Sequence, residues 1–193
     1  YKKMKNRIIK CIEDSISVKQ LVLTSEGLIN NIQEIVQKSV EAFKSDKKML
    51  LCGNGGSASD AQHIAAELSG RFYKDRKALF AEALHVNSSF VTAVANDYGY
   101  DNIYSRMIEA AGRKEDVFIG ISTSGNSPNI VNAVKKANQN GMTTIGFTGE
   151  NGGEMNNLCD IMIKIPSSDT PRVQESHILV GHIICQLIEE ELF

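Results

Sequence analysis

The sequence predicts an α/β fold, a doubly wound parallel sheet with helices on both faces, and three observations carry that prediction. Apolar runs at 48–52, 117–121, 142–147 and 160–165 have the length and continuity of strands buried on both sides. Three of the four lead through turn residues into stretches whose apolar positions recur every three and four residues, the period of a helix. Two of the strand ends run into strings of glycine and serine, at 53–57 and 122–128, where sheets of this class hold their ligands.

In chain order, Ile8, Ile9, Ile12 and Ile16, then Leu28, Ile32, Ile35, Val36, Val40 and Phe43, mark two amphipathic helices at about residues 5–45, joined near Glu26-Gly27. The strand at 48–52 ends in Gly53-Asn54-Gly55-Gly56-Ser57, and a helix follows to about Ser69. A weaker strand is expected at 81–86, with helices near 88–96 and 103–111. The strand at 117–121 leads into Ser122-Thr123-Ser124-Gly125-Asn126-Ser127-Pro128; Pro128 suits a first helical position, and Gly141 stops the helix it opens. Strands at 142–147 and 160–165 flank the turn-rich segment 149–157. Thr170 as N-cap and Pro171 at the first helical position open a last helix through Val173, Ile178, Val180, Ile183, Ile184, Leu187 and Ile188. That helix is apolar nearly all round, so it must be buried, and a second subunit is one way to bury it.

A chain of 193 residues with 42% hydrophobic residues fills one core and leaves no room for a nucleotide domain plus a separate substrate domain, so residues 1–193 are expected to form one domain. The net charge of −2, with acids and bases scattered, excludes an electrostatic footprint for nucleic acid or an acidic membrane surface and leaves a small ligand. No apolar run approaches the roughly 20 residues of a membrane span. The lysine-rich start is not followed by a signal-type apolar region, so a soluble cytoplasmic protein is expected; Tyr1, Lys2 and Lys3 precede Met4 and stay outside the fold reasoning. Cys11, Cys52, Cys159 and Cys185 are widely spaced, without any CxxC pair, which suits free thiols in a reducing compartment.

A glycine turn after a strand lets backbone amides, here around Gly55 and Gly56, approach an anion, and the following helix adds unpaired N–H groups and the positive end of its dipole. Ser57 adds a hydroxyl to that turn; Ser122, Thr123, Ser124 and Ser127 supply several at the other. Either loop alone is also what an ordinary turn or cap uses, whereas the pair points to one phosphate gripped between them. Gly53, Gly55 and Ala58 fit a loose dinucleotide fingerprint, with Glu82 as ribose acceptor, but that reading gives the second loop no role.

His63 and Glu67 lie one helical turn apart, on one face, and can act on one atom. Gln174 and His182 share a side of the last helix but stand about 12 Å apart at about 1.5 Å per residue, so a shared metal would need both to stretch, a strain that a subunit interface would relieve. His85 and His177 read as structural. Aldose-ketose isomerisation needs a base that takes a proton from carbon and an acid that serves the oxygen, and Glu67 and His182 fit those roles. Arg71, one turn beyond Glu67, suits either a phosphate counter-charge or a solvated ion pair.

At these residues the chain resembles the SIS (sugar isomerase) domain family, and within it the phosphoheptose isomerases, over nearly its whole length. The carrying segments are 52–63, Ala95-Asn96-Asp97-Tyr98-Gly99, 122–127, and Gln174-Glu175-Ser176-His177 through His182. The resemblance implies conversion of sedoheptulose 7-phosphate to D-glycero-D-manno-heptose 7-phosphate for the heptose of lipopolysaccharide or related glycans, with Glu67 as base and His182 as acid. It implies phosphate contacts from Ser122, Ser124 and Ser127, and sugar contacts from Asn54, Ser57, Asp97, Thr123 and Asp169. It also implies a divalent metal, zinc, held by His63, Glu67, Gln174 and His182, with Gln174 touching substrate as well, and a homotetramer with sites between subunits. The same subfamily resembles tetrameric scaffolds that bind a replication initiator protein, which need the fold but neither the acid nor the base; the pairing of Glu67 with His182 favours the enzyme.

Overall fold

The computed structural model describes residues 2–193. Five strands, β1 (Met49–Gly53), β2 (Ala81–Ala83), β3 (Val117–Ile121), β4 (Thr143–Thr148) and β5 (Ile161–Lys164), form one wholly parallel sheet in the order β2-β1-β3-β4-β5. Alternation along the strands divides the apolar residues between two cores. Met49, Leu51, Val117, Ile119, Ile145, Phe147 and Ile163 face α2 (Glu26–Lys44), α3 (Gly56–Ser69) and α7 (Thr170–Leu192). Leu50, Cys52 and Phe118 face α4 (Ser88–Tyr98), α5 (Ile103–Ala111) and α6 (Pro128–Gln139). Full burial of one such side chain is worth about 1.5–3 kcal/mol, so an aspartate at Leu51 or Phe118, both inaccessible to solvent, would open one core.

The sheet reverses its winding between β1 and β3: the chain leaves β1 through α3 towards β2 on one side, while β3 lies on the other. Gly53 and Ile121 are register partners at the carboxyl ends of these neighbouring strands. Both glycine- and serine-rich loops therefore emerge side by side at the switch point, where a doubly wound sheet opens a crevice.

The expected elements form, with three local differences. The break between α1 (Lys2–Thr24) and α2 falls at Ser25, whose hydroxyl accepts from Leu28 N at 3.4 Å. The strand expected at 81–86 is shorter, pairing with β1 only over Ala81–Ala83. The last helix is capped by Asp169 rather than Thr170: Asp169 has extended backbone angles, φ −82° and ψ 108°, and its carbonyl accepts from Val173 N at 3.0 Å, which puts Thr170 and Pro171 inside the first turn.

Neither terminal helix is fully covered. On α1, Val18 and Val22 are buried, while Ile8, Ile12, Ile16 and Leu23 stand in solvent. Ile183 and Leu187 of α7, with Ile29, Ile32, Val36 and Val40 of α2, line an open apolar groove. Polar contacts tie α1 to the start of α7: Arg172 Nη1 donates to the Cys11 carbonyl at 2.6 Å and Ser15 to Glu175 at 2.7 Å. Among the described residues, no helix is long and apolar enough to cross a membrane. The four cysteines are unpaired, with Cys52 and Cys185 buried.

Candidate active site

Two turns meet at the switch point. In the first, a Cβ on Gly53 would overlap the Ser57 backbone, and Gly55 has φ +55°, a conformation that side chains disfavour. Chain with side chains at both positions cannot make this turn. The second turn gathers hydroxyls: Ser122 Oγ lies 2.9 Å from Ser127 Oγ and 3.4 Å from Ser124 Oγ. Neither Gly55, the N-cap of α3, nor Ser127, that of α6, makes a side-chain cap bond, so no side chain of either cap occupies the N–H groups of the first helical turns. Asn54 and Asn129 join the loops through two reciprocal amide bonds of 2.9 Å each, and Tyr104 donates its hydroxyl to the Gly53 carbonyl. Thr123 and Ser124 also line a small cavity with Gly149, Ser167, Thr170 and Val173.

A second cluster lies further along the same helix. His63 Nε2 stands 3.0 Å from Glu67 Oε1, and the His182 ring meets the His63 ring edge-on at 4.9 Å between centroids. One donor atom from each of the three residues falls within 4.8 Å of the others. Two ligands on a tetrahedral ion, each about 2.1 Å from it, stand about 3.4 Å apart, so small side-chain rotations bring this N, O, N set onto one divalent cation. Gly181 makes the approach possible: a Cβ there would collide with the side chain of Ile64, so α7 presses against α3 at this contact and brings His182, next to Gly181, towards His63, next to Ile64. The three residues meet within a single chain; Gln174, whose separation of about 12 Å from His182 calls for an interface, is not among them.

Gln174 stands elsewhere. Its amide packs on Gly56, where a Cβ would fall 2.7 Å from Nε2, about two helical turns from His182. Asp97 is exposed and accepts from Asn96 at 2.8 Å, Asp169 is exposed at the α7 cap, and Arg71 is exposed. Glu82 sits in the middle of β2 opposite Leu50, roughly 10 Å short of the glycine turn at about 3.3 Å per residue, so it is not placed as a ribose acceptor. His177 is buried and bonded to the Thr148 carbonyl at 3.0 Å, and burial lowers its pKa to about 4; burial also lowers that of His85.

Sequence reasoning missed several residues. Asn129 is buried and locks the loops, Phe72 stacks on His182 at 5.8 Å and 29°, and Asp60 has its pKa raised to about 6 by burial against a smaller opposing pull from His63. Asp60 lies one turn before His63, a spacing that could have flagged it. No sequence signal marks the other two.

The SIS domain family matches residues 16–149. The phosphoheptose isomerase of Clostridium acetobutylicum is 56% identical over 98% of this chain and 97% of its own length, and that of Sulfurimonas denitrificans is 52% identical over the same shares. Among solved structures, a phosphoheptose isomerase from Neisseria gonorrhoeae superposes with a TM-score of 0.91 at 38% identity, covering 97% of this chain and 99% of that one. One from Francisella tularensis gives 0.93 at 33% identity, over 97% and 98%.

Proposed function

The chain belongs to the SIS-domain family as a phosphoheptose isomerase, and on that premise we propose how its residues interconvert sedoheptulose 7-phosphate and D-glycero-D-manno-heptose 7-phosphate for heptose biosynthesis. The observation that carries the reading is the convergence of Glu67 with His63 and His182 on the helix whose N-terminus forms the glycine turn. Gly56 and Glu67 stand eleven residues apart on α3, about 16 Å at about 1.5 Å per residue and further than a seven-carbon sugar phosphate reaches. The loops of one chain and the carboxylate of another would therefore serve one ligand, at a site between subunits.

Ser122, Ser124 and Ser127 hold the phosphate, and Asn54, Gly55, Gly56, Ser57, Asp97, Thr123, Asp169 and Gln174 orient the sugar. In the ketose-to-aldose direction the Glu67 carboxylate takes a proton from C1 while His182 protonates the C2 oxygen, giving a neutral enediol. The proton on Glu67 then passes to C2 and the C1 hydroxyl returns its proton to His182, which leaves an aldehyde at C1 and both side chains as they began.

His63, Glu67 and His182 are the residues that would hold a divalent cation, and zinc is the cation we propose; Gln174, about 12 Å along α7 from His182, could join them only across a subunit interface. Bound there, it supplies a positive charge that polarises the substrate's carbonyl oxygen. A carboxylate has two oxygens, so Glu67 can ligate through one and accept a proton on the other. The open apolar faces of α1, α2 and α7 support a homotetramer, and the free thiols support a cytoplasmic setting.

Turnover of sedoheptulose 7-phosphate by the pure protein, before and after chelation and zinc return, tests the reading. Activity lost with the metal and restored by zinc is expected. Activity indifferent to chelation would discard the metal, and none under any condition would discard the reaction.

A further inference from the structure

We propose that the buried ion pair of Arg76 and Glu189 positions the His63, Glu67 and His182 site from behind, setting both the last turn of α3 and the ring stacked on His182. The inference rests on the function proposed above.

Glu189 lies seven residues after His182, two turns on and on nearly the same face of α7. Its carboxylate accepts from Phe72 N at 3.3 Å, Tyr73 N at 2.9 Å, Lys74 N at 2.7 Å and Arg76 Nε at 2.9 Å. Burial alone would raise its pKa; the three backbone N–H groups and the guanidinium outweigh burial and hold it below the usual carboxylate range. The other guanidinium nitrogens donate to the end of α3: Nη2 to the carbonyl of Glu67 itself at 2.8 Å, and Nη1 to those of Leu68 at 2.7 Å and Gly70 at 3.2 Å. Both side chains are 2% exposed.

The pair thus satisfies carbonyls that a helix end leaves unpaired, on the turn that carries Glu67. It also closes the loop after α3 so that Phe72 lies against His182. A buried ion pair adds little net stability over apolar residues of the same volume. What this one supplies is geometry: a planar fork across three carbonyls and a carboxylate across three amides fix the loop in one conformation.

Glu189→Gln keeps the shape and removes the charge. Kinetics and Co²⁺ titration, read through the ion's visible bands well below the variant's melting temperature, should show kcat down tenfold or more, KM within twofold of the parent, and Co²⁺ affinity down about 10–100-fold. Phe72→Leu, which leaves the pair intact, should reproduce a smaller fall in kcat and Co²⁺ affinity. A folded Glu189→Gln protein that melts lower but keeps parental kcat and Co²⁺ affinity overturns the proposal. If that variant does not fold, parental kcat and Co²⁺ affinity in Phe72→Leu overturn it instead. A parent without turnover sinks the isomerase reading while the Co²⁺ arm still decides the positioning role; a parent with neither turnover nor Co²⁺ binding overturns both.

Discussion

The two ends of the site are built by different means. The end we propose for the phosphate consists of consecutive residues in two loops that leave adjacent strands, and its parts are backbone amides and short hydroxyls. The chemical end joins three side chains from two helices that are far apart in sequence, held by packing at Gly181 and by a latch whose carboxylate and guanidinium lie 113 residues apart. A local device needs only its own turn to be right, whereas a distributed one depends on how whole helices dock. Substitutions at the first should therefore change binding, and those at the second should change the rate.

The largest effect tests the chemical end. Glu67→Gln keeps the size of the side chain and removes the carboxylate proposed as base, so kcat should fall by about 10²–10⁴-fold, the usual worth of a positioned acid or base, with KM and melting temperature close to the parent's. Steady-state kinetics and a thermal melt decide it. Near-normal kcat would remove Glu67 from the reaction and break the comparison at its stronger side.

The same contrast explains what could be read from the chain alone. Buried parallel strands announce themselves as short apolar runs, and the two turns announce themselves because an anion site made of backbone needs glycine and hydroxyl residues in succession. His63 and Glu67 were legible as a pair because a helix repeats every turn. His182 pairs with Glu67 by chemical role, and the resemblance adds the shared metal; the physical cause of their approach is the bare backbone of Gly181 against Ile64, which no local pattern encodes. Arg76 and Glu189 look in sequence like two more surface charges among the chain's 21 basic and 23 acidic residues, and only the tertiary fold distinguishes them. The cap at Asp169 escaped because Asp169 and Thr170 are both good caps, and backbone angles chose between them.

A middle-sized effect concerns the support beneath the phosphate end. His177 bonds the Thr148 carbonyl, and the next residue, Gly149, donates its N–H to the carbonyl of Thr123 in the serine loop at 2.9 Å. Burial lowers the folded pKa of His177 from 6.5 to about 4, so the unfolded chain binds its proton more tightly than the folded one. Its contribution is therefore full above pH 6.5 and is lost as pH falls towards 4, to a total on the order of 3 kcal/mol. Denaturant titrations of the parent and of His177→Gln across that window should show the parent losing stability with acid and the variant losing less. Parallel curves would mean that His177 does not stay neutral in the fold.

The smallest effect probes the phosphate end directly. Ser127 has its hydroxyl 2.9 Å from that of Ser122, and as the N-cap of α6 it makes no side-chain bond to its own helix, so its removal should cost the helix little. A hydrogen bond to a charged group is worth about 1.5–3 kcal/mol, but Ser122 and Ser124 remain to share the phosphate, which places Ser127→Ala near the lower limit, about a tenfold rise in KM. A contact made equally in the ground and transition states leaves kcat within about twofold of the parent's, which is the outcome expected for Ser127. A fall in kcat at constant KM would mean that the grip on the phosphate is converted into alignment of C1 against Glu67. The two ends would then act as one device, and the division between binding and rate would fail.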